Sequence, residues 1–121
     1  YQSAKSKTND LAHKYAGVSR IDSFAIYNGK KSYYSLLGET NQKRQRAVLI
    51  EKGSGKIFVY ELKDGASQEE AENVAKENGA TSIDKVTFGY LNGQPIWEIK
   101  SGTSYYNVGF ESKTLLSKEG L

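Results

Sequence analysis

Two Asn-Gly pairs constrain the fold of this chain more than any other feature of its sequence. Asn28-Gly29 and Asn92-Gly93 each lie between short runs of alternating apolar and polar residues. Both residue types tolerate the positive φ angles of a type I′ turn, so each pair predicts a tight β-hairpin. Because the pairs are 64 residues apart in a chain of 121 residues, they also predict a duplicated unit.

The elements around the two hairpins repeat in the same order. Residues 2–15 have apolar positions at helical spacing before Gly17, and Ser67 and Glu70 have the spacing of a capping box at the start of a second helix. Period-two patterns predict strands in both halves. These strands are residues 18–27, 32–37, 47–51 and 57–62, the two arms of 83–99, and residues 104–111 and 114–117.

This pattern predicts an α+β fold of two tandem units, residues 1–64 and 65–121. Each unit is expected to pack one helix on an antiparallel sheet of about four strands. Pro95, just after the second turn, cannot donate to a sheet ladder and is expected at a strand start or an edge.

The two copies differ in the length of one connection. The Asn-Gly pairs are 64 residues apart, but Ile57-Phe58 lies only 58 residues before Leu115-Leu116. The first unit therefore has six additional residues. The polar residues 38–46, which end in a basic cluster, are predicted to form the long connection that contains them.

The sequence has none of the residue sets that support common enzyme chemistry. Cysteine is absent, and His13 is the only histidine, which argues against a zinc site or a catalytic triad. Gly53-Ser54-Gly55-Lys56 ends like a phosphate-binding loop, but Ile57 occupies the position that needs Ser or Thr. We therefore expect no enzyme activity, no cofactor and no metal.

Charge and aromatic content leave two kinds of binding protein open. The net charge is only +3, with basic and acidic residues interspersed. Nine tyrosines include Tyr33-Tyr34 and Tyr105-Tyr106, which place a tyrosine on each face of their strands. Such aromatics suit either base stacking or a protein interface. Protein contact is favoured, because no sequence signature of a sheet-based RNA reader is present.

The combination of these motifs resembles a known family. Helix, Asn-Gly hairpin, Trp97-Glu98-Ile99 and residues 105–110 before Leu115-Leu116 are similar to a PepSY-type unit, and Gly53-Ser54-Gly55-Lys56-Ile57 resembles its closing turn. The tandem arrangement resembles the TseB-like (YpmB-like) cell wall elongation regulators of Gram-positive bacteria. The second unit departs from this pattern at residues 111–114, which lack the turn glycine.

The resemblance implies two cystatin-like units and a single membrane helix before Tyr1, with this domain outside the cytoplasm. It implies a non-catalytic role in cell wall elongation through contact with a penicillin-binding protein. A PepSY-type peptidase inhibitor is the alternative, and a basic nucleic-acid binder is a further one. The residues predicted to contact a partner are Lys43, Arg44, Arg46, Tyr33 and Tyr105.

Overall fold

Each half of the chain folds as one helix and one four-stranded antiparallel sheet in a computed structural model that describes residues 2–120. The first half contains α1 (Ala4–Ala16), β1 (Val18–Asn28), β2 (Ser32–Thr40), β3 (Gln45–Glu51) and β4 (Ile57–Glu61). The second half contains α2 (Gln68–Glu77), β5 (Lys85–Leu91), β6 (Gln94–Ser101), β7 (Ser104–Gly109) and β8 (Leu115–Gly120).

The two halves form separate units that divide between Leu62 and Lys63, within a short 3-10 turn at Leu62–Asp64. Strand order follows chain order in both sheets, β1-β2-β3-β4 and β5-β6-β7-β8. The predicted α+β class is confirmed. Within residues 2–120, neither helix is long and apolar enough to cross a membrane.

Helix α1 has caps at both ends and packs on one face of the first sheet. The Ser3 hydroxyl accepts from the Ser6 amide, and Gly17 ends the helix in the left-handed conformation at φ 64°. Apolar residues of the helix and of the sheet together form a buried cluster. The cluster consists of Ala12, Ala16, Val18, Leu36, Val48 and Ile50.

The two Asn-Gly pairs form different turns. Asn92 and Gly93 both have positive φ, 50° and 81°, as predicted for a tight hairpin. Asn28 instead stays in β1 and pairs with Ser32, leaving residues 29–31 as the connection. The φ of Gly29 lies outside the left-handed region, so a type I′ turn is the wrong prediction there. A Cβ on Gly29 would lie 2.8 Å from the Tyr27 ring, which is why this position needs glycine.

The prediction that residues 38–46 form a long connection is also wrong. Strand β2 continues to Thr40 and β3 starts at Gln45, so only residues 41–44 join them. The corresponding hairpin of the second unit is joined by Gly102 and Thr103. The extra length of the first unit therefore extends a paired hairpin, and its backbone groups are largely satisfied by the neighbouring strand.

In the second unit, helix α2 starts at the predicted capping box. Ser67 accepts from the Glu70 amide and the Glu70 carboxylate accepts from the Ser67 amide, both at 3.0 Å. The helix packs on β6 and β7. Pro95 lies near the start of β6, next to Tyr90 of β5, and its carbonyl accepts from Phe110. Pro95 is therefore at a strand start, as predicted.

The hairpin of β7 and β8 forms without a glycine in its turn. Lys113 takes the left-handed conformation, with φ 60°, and its amide donates to the Gly109 carbonyl. The hydroxyl of Ser112 accepts from the Thr114 amide. These side-chain and backbone bonds replace the glycine that the resemblance requires.

Candidate functional site

The predicted basic cluster divides between an exposed turn and a strand. Residues 41–44, here named the hairpin tip, expose both Lys43 and Arg44. The turn is organised by the buried Thr40, whose hydroxyl accepts from the amides of Gln42 and Arg44 at 3.3 and 3.2 Å. Lys43 and Arg44 are therefore adjacent cations on a structured turn.

Arg46 is a structural residue, and its predicted place in a loop is wrong. It lies in β3, with Nε 2.6 Å from Oε1 of Glu61 and Nη1 donating to the Ala16 carbonyl at 2.7 Å. About a quarter of each side chain of the ion pair is exposed, 23% for both. The guanidinium thus joins the last turn of α1 to β4 within the first unit.

The two predicted tyrosines have different surroundings. Tyr33 is only 4% exposed and packs edge-on against Phe58, so its predicted role as an exposed contact is wrong. Tyr105 lies in the second unit, is partly exposed, and has the Lys100 ammonium 6.0 Å from its ring centroid. Tyr33 is also distant from the hairpin tip along its strand, because it lies at the opposite end of β2.

A groove of about 390 Å³ opens between the N-terminal half of α1 and the first sheet, and the sequence did not predict it. This volume is within the range of ligand-binding pockets. Its floor is formed by β2 and β3, and α1 forms its wall. The lining residues are Gln2, Ala4, Lys7, Thr8, Leu11, Tyr34 and Ile50.

The lining of the groove is apolar with a cationic border. Leu11, Tyr34 and Ile50 are the large apolar residues of its lining, while the buried Thr8 hydroxyl donates to the Ala4 carbonyl at 2.8 Å. The Lys52 ammonium lies over the Tyr34 ring at 5.2 Å from its centroid. None of the lining residues is acidic, so the groove favours apolar groups that carry negative charge.

The charges are unevenly divided between the units. Up to Leu62 the chain has eleven lysines and arginines against five carboxylates, a net charge of +6. From Lys63 onward it has six against nine, a net charge of −3. The small total of +3 therefore conceals a basic first unit and an acidic second unit, which favours an acidic partner for the first.

The second unit contains a partly buried carboxylate, Glu98 of β6. Burial raises its pKa above the usual range, the nearby Glu119 raises it further, and Lys85 opposes both effects. Its neighbours in register are Thr87 and Asn107. Residues 2–120 contain no group of three or more His, Cys, Asp or Glu residues that could hold a metal ion.

We predict that Glu98→Gln stabilises the chain at neutral pH. A raised pKa in the folded state means that protonated Glu98 favours folding. This stability is lost as the pH rises above about 4.3, the pKa of a glutamate in an unfolded chain. The expected gain at pH 7 is less than about 1 kcal/mol because solvent screens this partly exposed group, and it should shrink toward pH 4. Urea unfolding at both pH values measures it.

The matched control for this prediction is Glu111→Gln, a substitution at an exposed carboxylate of the same unit. It should leave the free energy of unfolding unchanged at both pH values. A loss of stability on Glu98→Gln at pH 7 would contradict the prediction, since it would show that the ionised carboxylate is stabilising.

Part of this chain matches a known protein family. Residues 7–51 match the model of the cell wall elongation regulator TseB-like domain. This segment runs from within α1 to the end of β3 and includes five of the seven residues that line the groove, all except Gln2 and Ala4.

Two solved structures show the same fold. YpmB protein from Bacillus subtilis aligns over all of both chains with a TM-score of 0.83 at 21% sequence identity. A candidate lipoprotein from Clostridium difficile 630 aligns over 99% of this chain and 93% of its own, with a TM-score of 0.51 at 12% identity. The comparison with curated protein sequences gives no match.

The family match and the similarity to YpmB together confirm the resemblance to TseB-like regulators that the sequence indicates. The groove is the feature that sequence reasoning missed. Its lining comes from separate segments of the chain, so no local sequence pattern indicates it. The division of charge between the units, in contrast, can be counted from the sequence.

Proposed function

We propose that this chain is a non-catalytic binding module that acts outside the cytoplasm and regulates cell wall elongation by contacting a penicillin-binding protein. The observation that carries the proposal is the match of residues 7–51 to the TseB-like regulator model. The similarity to a candidate lipoprotein supports a location outside the cytoplasm. A single-pass membrane anchor ahead of this domain is part of the proposal.

The proposal includes the type and extent of the units. Residues 1–64 and 65–121 are proposed as two PepSY-type, cystatin-like domains, because each half has one helix on a four-stranded antiparallel sheet. The partner-contact residues proposed from the predicted set are Lys43 and Arg44 at the hairpin tip, with Tyr105 in the second unit. Their exposure and the +6 charge of the first unit support an acidic contact on the partner.

The proposal predicts capture of penicillin-binding proteins by the immobilised chain. Solubilised membranes of a Gram-positive bacterium would be labelled with a fluorescent penicillin and passed over the chain. We expect at least one labelled protein to be enriched over uncoupled beads, and the enrichment to fall as salt rises, because salt screens exposed charges. Repeated failure to enrich any labelled protein would remove the proposed partner.

A charge-reversal pair tests the hairpin tip within the same assay. The double variant Lys43→Glu, Arg44→Glu should reduce capture, because both side chains are exposed. The matched control is Lys5→Glu, Lys14→Glu, which changes the charge of the first unit by the same amount at two exposed positions of α1. Equal loss in both variants would show that total charge, and not the hairpin tip, determines capture.

A further inference from the structure

The outer edge of β1 is protected along one half and unprotected along the other. Within its sheet β1 pairs on one side only, with β2. Its first half carries Arg20 and Asp22 and has two register shifts, which are common protections of edge strands. Residues 23–28 have regular pairing, no charge and no proline. This half can therefore accept an additional strand.

The unprotected half of β1 also presents apolar side chains beside the groove. Ile26 is 44% exposed, which is high for a large apolar residue, and pairs in register with Tyr34. Phe24 stacks on the Tyr34 ring with centroids 6.1 Å apart. Cross-strand partners lie on the same face of a sheet, so Phe24 and Ile26 extend the apolar floor of the groove to the strand edge.

Two lysines give this surface its charge. Lys7 lines the groove from α1, and Lys52 covers Tyr34 at the end of β3. Neither ammonium has an ion pair with any residue in the part of the chain that is described. The one carboxylate of α1, Asp10, accepts a hydrogen bond from Gln2. An incoming segment with carboxylates would therefore find unpaired cations at this surface.

We propose that the edge of β1 and the groove form a docking site for an extended segment of a partner protein. The segment would add a strand along residues 23–28, the β-augmentation mode of peptide recognition. On the face toward α1 it would carry two apolar side chains, which pack on Phe24, Ile26 and Leu11, between flanking carboxylates that reach Lys7 and Lys52. This site is separate from the hairpin tip.

The opposite edge of the same sheet lacks this combination. Strand β4 has five residues and also exposes one aliphatic side chain, Val59, at 41%. It ends at Glu61, which is paired with Arg46, and none of its residues lines the groove. Val59 therefore provides a matched control for Ile26, with similar exposure on the other edge strand.

The probe for this proposal is the capped peptide Glu-Thr-Val-Thr-Val-Thr-Glu, which reads the same in both directions. In an extended conformation its glutamates and valines share one face. The control peptide has lysine in place of both glutamates. NMR titration of the ¹⁵N-labelled chain should show shifts at amides of residues 23–28, Leu11 and Tyr34 with the acidic peptide, and much smaller shifts with the basic one.

Two variants distinguish binding at the proposed site from nonspecific binding of the peptide. Ile26→Lys should weaken binding of the acidic peptide about tenfold, the equivalent of one lost aliphatic contact, and Val59→Lys should leave it unchanged. Lys7→Glu, Lys52→Glu should reverse the preference between the two peptides. This second variant alters exposed ammonium groups only, so it remains informative if Ile26→Lys disturbs the fold.

Several outcomes would overturn the docking site. These are the absence of shifts in β1 at millimolar peptide, equal shifts with both peptides, or equal weakening by Ile26→Lys and Val59→Lys. Shifts of the same amides with phosphatidylglycerol vesicles, and none with peptide, would assign the surface to lipid instead. If penicillin-binding proteins are still captured while the acidic peptide does not bind, the docking site fails and the proposed function remains.

Discussion

Replacing Trp97 with alanine is expected to lower the free energy of unfolding by about 4 kcal/mol, a typical cost for removing a buried tryptophan. Trp97 is 1% exposed, and its ring lies edge-on to Phe88 with centroids 5.0 Å apart. Its indole N–H donates to the Ala66 carbonyl at 2.8 Å. The substitution therefore leaves both a cavity and a buried carbonyl without its donor.

Urea unfolding followed by far-UV circular dichroism measures this effect, since Trp97 is the only tryptophan and its fluorescence is lost in the variant. Trp97→Phe retains most of the ring contact and removes the hydrogen bond, so we expect a smaller loss of about 2 kcal/mol. Tyr15→Ala, at a residue that is 58% exposed, is the control and should change stability by less than about 0.5 kcal/mol. A loss below about 1 kcal/mol for Trp97→Ala would contradict the argument.

Trp97 is important because it holds the segment that leads into α2. Ala66 accepts from the Trp97 indole and donates its amide to the Phe110 carbonyl at 2.7 Å. Gly65 passes so close to Phe110 that a Cβ would lie 2.4 Å from its carbonyl oxygen. The start of α2 is thus fixed by two residues that are distant in sequence, Trp97 and Phe110.

The sequence predicted those features that depend on neighbouring residues. The capping box of Ser67 and Glu70 and the left-handed Gly17 involve residues within one or two helical turns, so their spacing contains the necessary information. The turn at Asn92-Gly93 is equally local. The Asn28-Gly29 pair has the same sequence but forms a different turn. Its glycine is needed because a Cβ would collide with the Tyr27 ring, and not because of a positive φ.

The features that the sequence did not predict depend on register between distant segments. Residues 38–46 are polar, and polarity alone cannot distinguish a loop from the end of an extended hairpin. The burial of Tyr33 and the exposure of Ile26 likewise depend on which face each strand turns to the core. The groove combines α1, β2 and β3, so no local pattern contains it.

Arg46→Ala is expected to lower the free energy of unfolding by about 3 kcal/mol, because it removes one partner of a largely buried ion pair. Glu61 would lose the guanidinium bound to Oε1 at 2.6 Å, while its Oε2 is already buried without a hydrogen-bond partner. The Ala16 carbonyl, at the end of α1, would lose its donor as well. Urea unfolding measures the loss.

Arg44→Ala is the matched control, because Arg44 is exposed at the hairpin tip only two residues away. It should change stability by less than about 0.5 kcal/mol. The double variant Arg46→Met, Glu61→Leu should recover much of the loss, since it removes the uncompensated carboxylate together with its partner. If Arg46→Ala leaves stability unchanged and abolishes capture of penicillin-binding proteins, the structural role is wrong and Arg46 is a contact residue. The structure favours the opposite result, because both groups that hold the guanidinium belong to its own unit.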